Sequence, residues 1–278
     1  MCGICGIISY KQSDLVSKHH IEKMVSTLQH RGPDFNNSWL NHLVAFGHSR
    51  LSIIDLSVNG NQPMYSYDKK YIIVLNGEIY NYKEIRKELE KLDVPFSGSS
   101  DTEVLVNAFA IFGKDIFPKL NGIFALAIYN IQEEEVILAR DRFGVKPLYY
   151  QASNDVLLFG SEIKAILEVS SLKRKINLQA LHEFSYFGNP LQENTLFSGV
   201  RRLKPGYTLK INKKGMLLSK YWDINPEINT EILEKDAIEK IKDLLEDAVK
   251  RQLVSDVPVG IFLSGGIDSS AVTAFASK

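Results

Sequence analysis

The sequence predicts an α+β protein built on antiparallel sheets, followed by the opening unit of a second, α/β domain. Three observations carry this. Short β-like runs are numerous between residues 2 and 160, with few helices and no regular βαβ alternation, which argues for antiparallel pairing. The pattern changes near residue 215, where a linker-like stretch and a long amphipathic helix replace the strands. Beyond it come an apolar run, a Gly-rich loop and a helical segment, the order in which nucleotide-binding α/β domains open. Length agrees, since 278 residues allow about two domains at roughly 150 residues each.

Residues 2–10 are Gly- and Ile-rich and read as a strand. Over residues 20–29, Ile21, Met24, Val25 and Leu28 recur at helical spacing, and Arg31-Gly32-Pro33-Asp34 stops the helix because Pro33 disfavours its continuation. Further β-like runs fall at 43–46, 71–75, 123–129, 135–139 and 156–159. Helical patterns interrupt them at 82–92 and 102–112; Ser100, three residues before Glu103, has capping-box spacing and sets the start of the second. These elements make a first domain over 1–215. Residues 216–230, ending in Pro226-Glu227-Ile228-Asn229-Thr230, are the expected linker. In 231–278, Ile238, Ile241, Leu244, Leu245, Ala248, Val249 and Leu253 trace one helix face. Residues 257–263 read as a buried parallel strand, and the loop after it leads into a helix running to Lys278. One strand and one helix do not make a sheet, so only the first unit of this domain is expected.

Composition narrows the function. With 45% hydrophobic and 24% charged residues the chain can bury a sizeable core. Lys+Arg and Asp+Glu both number 33, without the basic excess of a general nucleic-acid or anionic-membrane binder. No apolar run approaches the ~20 residues of a bilayer span. The start, Met1-Cys2-Gly3-Ile4-Cys5-Gly6, lacks the basic region of a secretory signal. Two cysteines are no disulfide framework, so a reducing, cytoplasmic setting is expected, with neither nucleic acid nor membrane as partner.

Cys2 carries the first chemical signal. Removal of Met1 would leave a thiol and a free α-amine on one residue. Their ordinary pKa values, about 8.5 and about 7.7–8.0, let each exchange the proton the other needs near neutral pH. Such a residue is nucleophile and base at once. Two other readings stand beside it. Cys2 and Cys5 could be small buried residues, or a CxxC redox or zinc pair, although zinc would need two further ligands and the redox motif a βαβ setting. Asn76-Gly77 alone reads as a hairpin turn. Asp101 and Glu78 alone read as surface charges, Asp101 also as a helix-start residue.

Taken together the motifs narrow these choices. They are Cys2-Gly3-Ile4-Cys5-Gly6, His30-Arg31-Gly32-Pro33-Asp34 and Gly47-His48-Ser49-Arg50-Leu51-Ser52-Ile53. Asn76-Gly77-Glu78-Ile79-Tyr80-Asn81, Ser100-Asp101-Thr102-Glu103 and Arg140-Asp141-Arg142-Phe143-Gly144 follow in order. The chain resembles the class II glutamine amidotransferases, which are N-terminal-nucleophile hydrolases. Ser264-Gly265-Gly266-Ile267-Asp268-Ser269 makes it similar to the glutamine-hydrolysing asparagine synthetase family in particular.

The resemblance implies a four-layer αββα sandwich for the first domain. It implies that Cys2 attacks the glutamine amide, with the Asn76 side-chain amide and the Gly77 N–H stabilising the oxyanion. Arg50 would hold the α-carboxylate through a bidentate fork, and Asp101 and Glu78 the α-ammonium. Leu51, Ser52, Ile53 and Ile54 would line the pocket through backbone groups. His30, His48 and residues 140–149 would support it. The loop resembles the PP-loop of ATP pyrophosphatases; it lacks the Walker A lysine. Phe262, Leu263, Ser264, Gly265, Gly266, Asp268 and Ser269 would contact ATP, with Asp268 helping to place Mg²⁺.

The implied reaction is a carbon–nitrogen ligase reaction. Glutamine supplies ammonia for ATP-dependent amidation of aspartate, giving asparagine, AMP and pyrophosphate. The family's architecture leaves room for a homodimer. Its members are about twice this length, so the aspartate site and most ATP contacts are not expected here. A relative acting on another carboxylate, in polysaccharide or natural-product synthesis, and a non-catalytic regulatory protein on the same fold are the alternatives.

Overall fold

The first apolar run becomes β1 (Gly3–Ser9), buried along its whole length. In this computed structural model every residue is described except 12, 154, 172, 228–230 and 278. The expected linker's residues 228–230 and the last residue of the expected final helix, 278, therefore lie outside the described residues. After β1 come α1 (Lys18–Ser26), β2 (Phe35–Leu40), β3 (Val44–Arg50), β4 (Met64–Tyr65), β5 (Tyr71–Ile79), α2 (Tyr82–Glu90) and α3 (Asp101–Phe112). Then follow β6 (Gly122–Asn130), β7 (Glu135–Arg140), β8 (Tyr149–Ala152), β9 (Val156–Gly160), α4 (Ile163–Val169) and α5 (Leu178–Phe187). The first unit closes with β10 (Val200–Arg202), β11 (Tyr207–Asn212) and β12 (Gly215–Lys220).

Two sheets result, in the orders β10-β8-β9-β1-β3-β2 and β12-β11-β7-β6-β5-β4, every pairing antiparallel. Alternation along each strand decides what lies between them. Ile4, Ile8 and Phe46 of the first sheet meet Ile72, Val74, Ala127 and Leu138 of the second in one core. Residues of opposite parity in β1, Cys5 and Ile7, turn outward onto Ile21, Met24 and Val25 of α1 and Ala165 and Ile166 of α4. On the far side α3 lies against the second sheet, with Tyr71 edge-on to Phe109 at 5.2 Å and the Asn107 side chain accepting from the Tyr67 N–H at 2.9 Å. The layers run α-β-β-α.

Local signals set most of these elements. Ser100 caps α3, accepting from the Glu103 N–H at 3.1 Å. The Glu103 carboxylate does not return to Ser100 as a full capping box would; it accepts from the N–H groups of Ser97 and Gly98 at 2.6 and 2.8 Å. It thereby ties down the turn before the helix.

Two expectations need correction. The first unit runs from Met1 to Asp223, beyond the expected boundary at 215, because Gly215–Lys220 forms β12 and pairs with β11. Every residue of β12 is exposed, so it lacks the apolar alternation that marks a half-buried strand. The second unit, Ile224–Lys278, holds α6 (Glu234–Gln252) and α7 (Ile267–Ala276), but the apolar run 257–263 is not a strand. A strand needs a neighbour to accept and donate along its ladder, and none is described in this unit. Phe262, next to the end of that run, is 98% exposed.

Candidate active site

Where the two sheets and α3 come together, one cavity of about 180 Å³ opens, far below the several hundred Å³ of pockets for drug-sized ligands. Its wall includes Cys2, Arg50, Leu51, Ile53, Ile54, Asn76, Gly77, Glu78 and Asp101. Nine of the ten residues that the sequence singled out for glutamine chemistry therefore share one cavity. The tenth, Ser52, stands apart, donating its N–H to Asp34 Oδ2 at 2.7 Å.

Topology explains the convergence. Gly3 pairs with Ser49, so Cys2 sits beside the end of β3, where Leu51 donates its N–H to Cys2 Sγ at 3.4 Å. Arg31 fixes the same residue from behind, donating Nε–H to the Cys2 carbonyl at 2.9 Å and Nη1–H to Glu162 at 3.0 Å. Burial and Asp101 push the Cys2 thiol up, opposed by the Leu51 N–H, the Met1 α-amine and Arg50. Arg50 is buried and donates to the Ser57 carbonyl at 2.8 Å, to Asn61 Oδ1 at 2.7 Å and to the Asp55 carbonyl. Those bonds hold the loop after β3 and point one cation into the cavity.

Asn76 and Gly77 do not form a turn. They lie inside β5, opposite Ala125 and Phe124 of β6. The Asn76 amide is fully buried, yet neither Nδ2 nor Oδ1 has a hydrogen-bond partner among the described residues. Such a group costs about 1–3 kcal/mol, so an interior rarely keeps it unless it has a use. Gly77 has φ 154°, and a Cβ there would run into the Ile123 carbonyl. Gly77→Ala is accordingly expected to lower stability by about 1–3 kcal/mol, read as a fall in the urea midpoint, and to lose any activity of the site.

Carboxylates close the opposite wall. Asp101 opens α3 and accepts from the Ile79 N–H at 2.9 Å. Burial and the neighbouring Glu78 push its carboxyl up to about 6, opposed by backbone N–H donors. Glu78 is raised by burial and drawn back by Lys146. Of the residues read as supporting, His48 is held neutral by burial, its pKa near 3, and contacts the Leu75 carbonyl through Nε2 at 3.3 Å. His30 joins Arg31 and Lys164 around Glu162.

Sequence reasoning did not single out Gln62, and it reached Lys146 only as one residue of the supporting segment 140–149; both are on the cavity wall. Gln62 accepts from the Leu75 N–H at 2.6 Å and donates to Thr102 at 3.1 Å, joining β5 to the start of α3. A glutamine in a loop offers no local signal of that. In the second unit, Gly265 has φ 81° and Gly266 precedes α7 with no side-chain cap, leaving the first-turn N–H groups without one. Ser264 and Ser269 join through their hydroxyls at 3.0 Å.

Residues 1–222 match the family model of the glutamine amidotransferase domain, and the chain belongs to that family. Residues 240–278 match the model described as asparagine synthase. Among curated relatives it is 41% identical to glutamine-hydrolysing asparagine synthetase 3 of Bacillus subtilis, over 100% of this chain and 45% of that one. It is 34% identical to amidase chry2 of Gibberella zeae, over 100% of this chain and 43% of that protein. The chain thus spans less than half the length of these relatives. Among solved structures, the fold is that of the glutamine phosphoribosylpyrophosphate amidotransferase of Bacillus subtilis. The TM-score is 0.57 at 20% identity, covering 99% of this chain and 64% of that one. The first unit accordingly has a glutamine amidotransferase fold.

Proposed function

We propose that the first unit is a glutaminase in which Cys2, freed of Met1, is the nucleophile. The observation that carries this is the unpaired, buried Asn76 amide on the wall of the same cavity as Cys2. The α-amine takes the thiol proton as sulfur attacks the glutamine side-chain carbonyl. Asn76 Nδ2–H and the Gly77 N–H receive the oxyanion, and the amine passes its proton to the leaving group, releasing ammonia. Water then attacks the γ-glutamyl thioester with the amine as base, yielding glutamate and restoring the thiol. Arg50 pairs with the α-carboxylate; Asp101 and Glu78 hold the α-ammonium.

Incubation with 6-diazo-5-oxo-norleucine tests this. Mass spectrometry is expected to find one adduct, on an N-terminal Cys2; an adduct elsewhere, or none, overturns it. Because Asp101 binds the ammonium as a carboxylate, kcat/KM for glutamine is expected to fall as pH drops below about 6, where Asp101 takes up a proton. Asp101→Asn should raise KM on the order of 10-fold and remove that limb.

The ammonia would serve a carbon–nitrogen ligase reaction. The loop before α7 suits a triphosphate, since the first-turn N–H groups of α7 have no side-chain cap, Gly265 leaves space beside the loop and Asp268 stands in the first helical turn. Ser264, Gly265, Gly266 and Ser269 would hold phosphate, Asp268 would hold Mg²⁺, and Phe262 and Leu263 would flank the base. ATP supplies activation of the acceptor carboxylate. Aspartate is the acceptor favoured by the 41% relative. A second reading keeps the same glutaminase half with another carboxylate as acceptor, and the 34% relative named as an amidase and not as an asparagine synthetase favours keeping it.

A further inference from the structure

Lys146 lines the cavity together with Met1, Cys2 and Glu78, and the steps above give it no task. The loop that carries it, 141–146, is held at most of its backbone groups. Asp141, itself buried, accepts through Oδ1 from the N–H groups of Phe143 and Val145 at 3.1 and 2.9 Å. Its Oδ2 accepts from the Lys146 N–H at 3.0 Å and the Phe124 N–H at 3.2 Å. From the other side the buried Arg140 guanidinium donates to the carbonyls of Lys146, Gly144 and Leu203, at 2.7, 2.6 and 2.7 Å. A backbone fixed in this way presents a side chain with little freedom. Among the described residues of this loop, 141–146, only Lys146 reaches the cavity wall.

Lys146 is 8% exposed, and its ammonium makes no hydrogen bond or ion pair with the described residues. A charge withdrawn from water without a contact partner is costly and must be sustained by the field around it. Glu78 at the end of β5, Cys2 and Asp141 beneath the loop attract it; Arg31 and the Met1 α-amine oppose it. Arg50 and Asp101 act on Cys2 from the far wall.

Resting on the reading of Cys2 as nucleophile, we propose that Lys146 is a positioning residue for the protons of that nucleophile. Its fixed ammonium disfavours a second positive charge on the neighbouring α-amine and favours a negative charge on sulfur. The amine then stands as a free base at neutral pH and the thiol gives up its proton more readily. In the chain with Met1 attached, burial lowers the α-amine, and Lys146 and Arg31 lower it further, while Cys2 and Glu78 act the other way.

The test uses the full chain as wild type, Lys146→Met and Lys146→Arg. Alkylation of Cys2 by iodoacetamide is followed by mass spectrometry from about pH 5.5 to about pH 9.5. No glutamine is present, so Asp101 and Glu78 do not enter through substrate binding. Removing the ammonium should move the alkylation limb up by about one pH unit, with Lys146→Arg following wild type. At pH 7, glutamate release should fall roughly 10-fold in kcat for Lys146→Met with KM unchanged. A merely structural role would lower rates at every pH and leave the limb in place, and an unmoved limb in a folded Lys146→Met overturns the proposal. Should that variant not fold, Lys146→Gln makes the same comparison. Glutamate release that persists without Cys2 would instead sink the reading beneath it, a separate outcome.

Discussion

Cys2→Ala is expected to bring glutamate release down to background, a loss on the order of 10⁴-fold or more, with glutamine binding retained. The magnitude follows from what is removed. The remaining cavity would still bind the amino acid through Arg50, Glu78 and Asp101, but no other thiol reaches it: Cys5 is fully buried among the residues under α1, and burial alone pushes its pKa far up. A water in place of sulfur would be a weaker nucleophile with no covalent intermediate. Isothermal titration with glutamine separates the two effects. Unchanged affinity with no turnover is the expected pair of results, and retained turnover removes Cys2 from the chemistry.

The second large effect is a split between activity and stability. Asn76→Leu should lower kcat by about 10²–10³-fold while leaving KM within a few-fold, because the lost donor acts on charge that exists only in the transition state. Folding should not suffer. Both polar atoms of the Asn76 amide are buried and unpaired, so an apolar side chain of similar volume removes a desolvation cost and breaks no bond. Leucine also suits a strand interior better than asparagine. Thermal melting at or above the wild-type temperature, together with the kinetic loss, is the expected outcome. A lower melting temperature with kcat nearly intact would mean that Asn76 serves the fold and leaves the oxyanion to other donors.

Local chemistry made much of the fold legible. The apolar runs that became β1, β5, β6, β7 and β9 are buried nearly throughout, and Ser100 caps the helix that its spacing announced. The elements that the sequence hid are those whose burial is partial or absent. β12 is exposed at every residue, and β2 exposes four of its six. Such strands exist because a neighbour offers a ladder. The opposite error, at residues 257–263, has the same cause, since an apolar run alone does not make a strand without a partner to pair with. The site divides in the same way. Cys2, Arg50, Asn76 and Asp101 stand in motifs whose spacing can be read, whereas Gln62 lies in a loop without any such signal and Lys146 is legible only as part of the supporting segment 140–149; both gain their meaning from what faces them.

By itself, the order of residues pointed to the family and to the proposed nucleophile and polar groups for an amino-acid substrate, because the motifs that carry them are matters of side-chain type and local spacing. Tertiary structure alone decided that Asn76 sits unpaired inside a strand, that Asp101 is pushed up to about 6, and that Lys146 shares the cavity wall with Cys2. Those are consequences of burial and of charges brought together from β1, β5, α3 and the loop after β7. Desolvation and Coulomb forces act through space, whatever the separation along the chain.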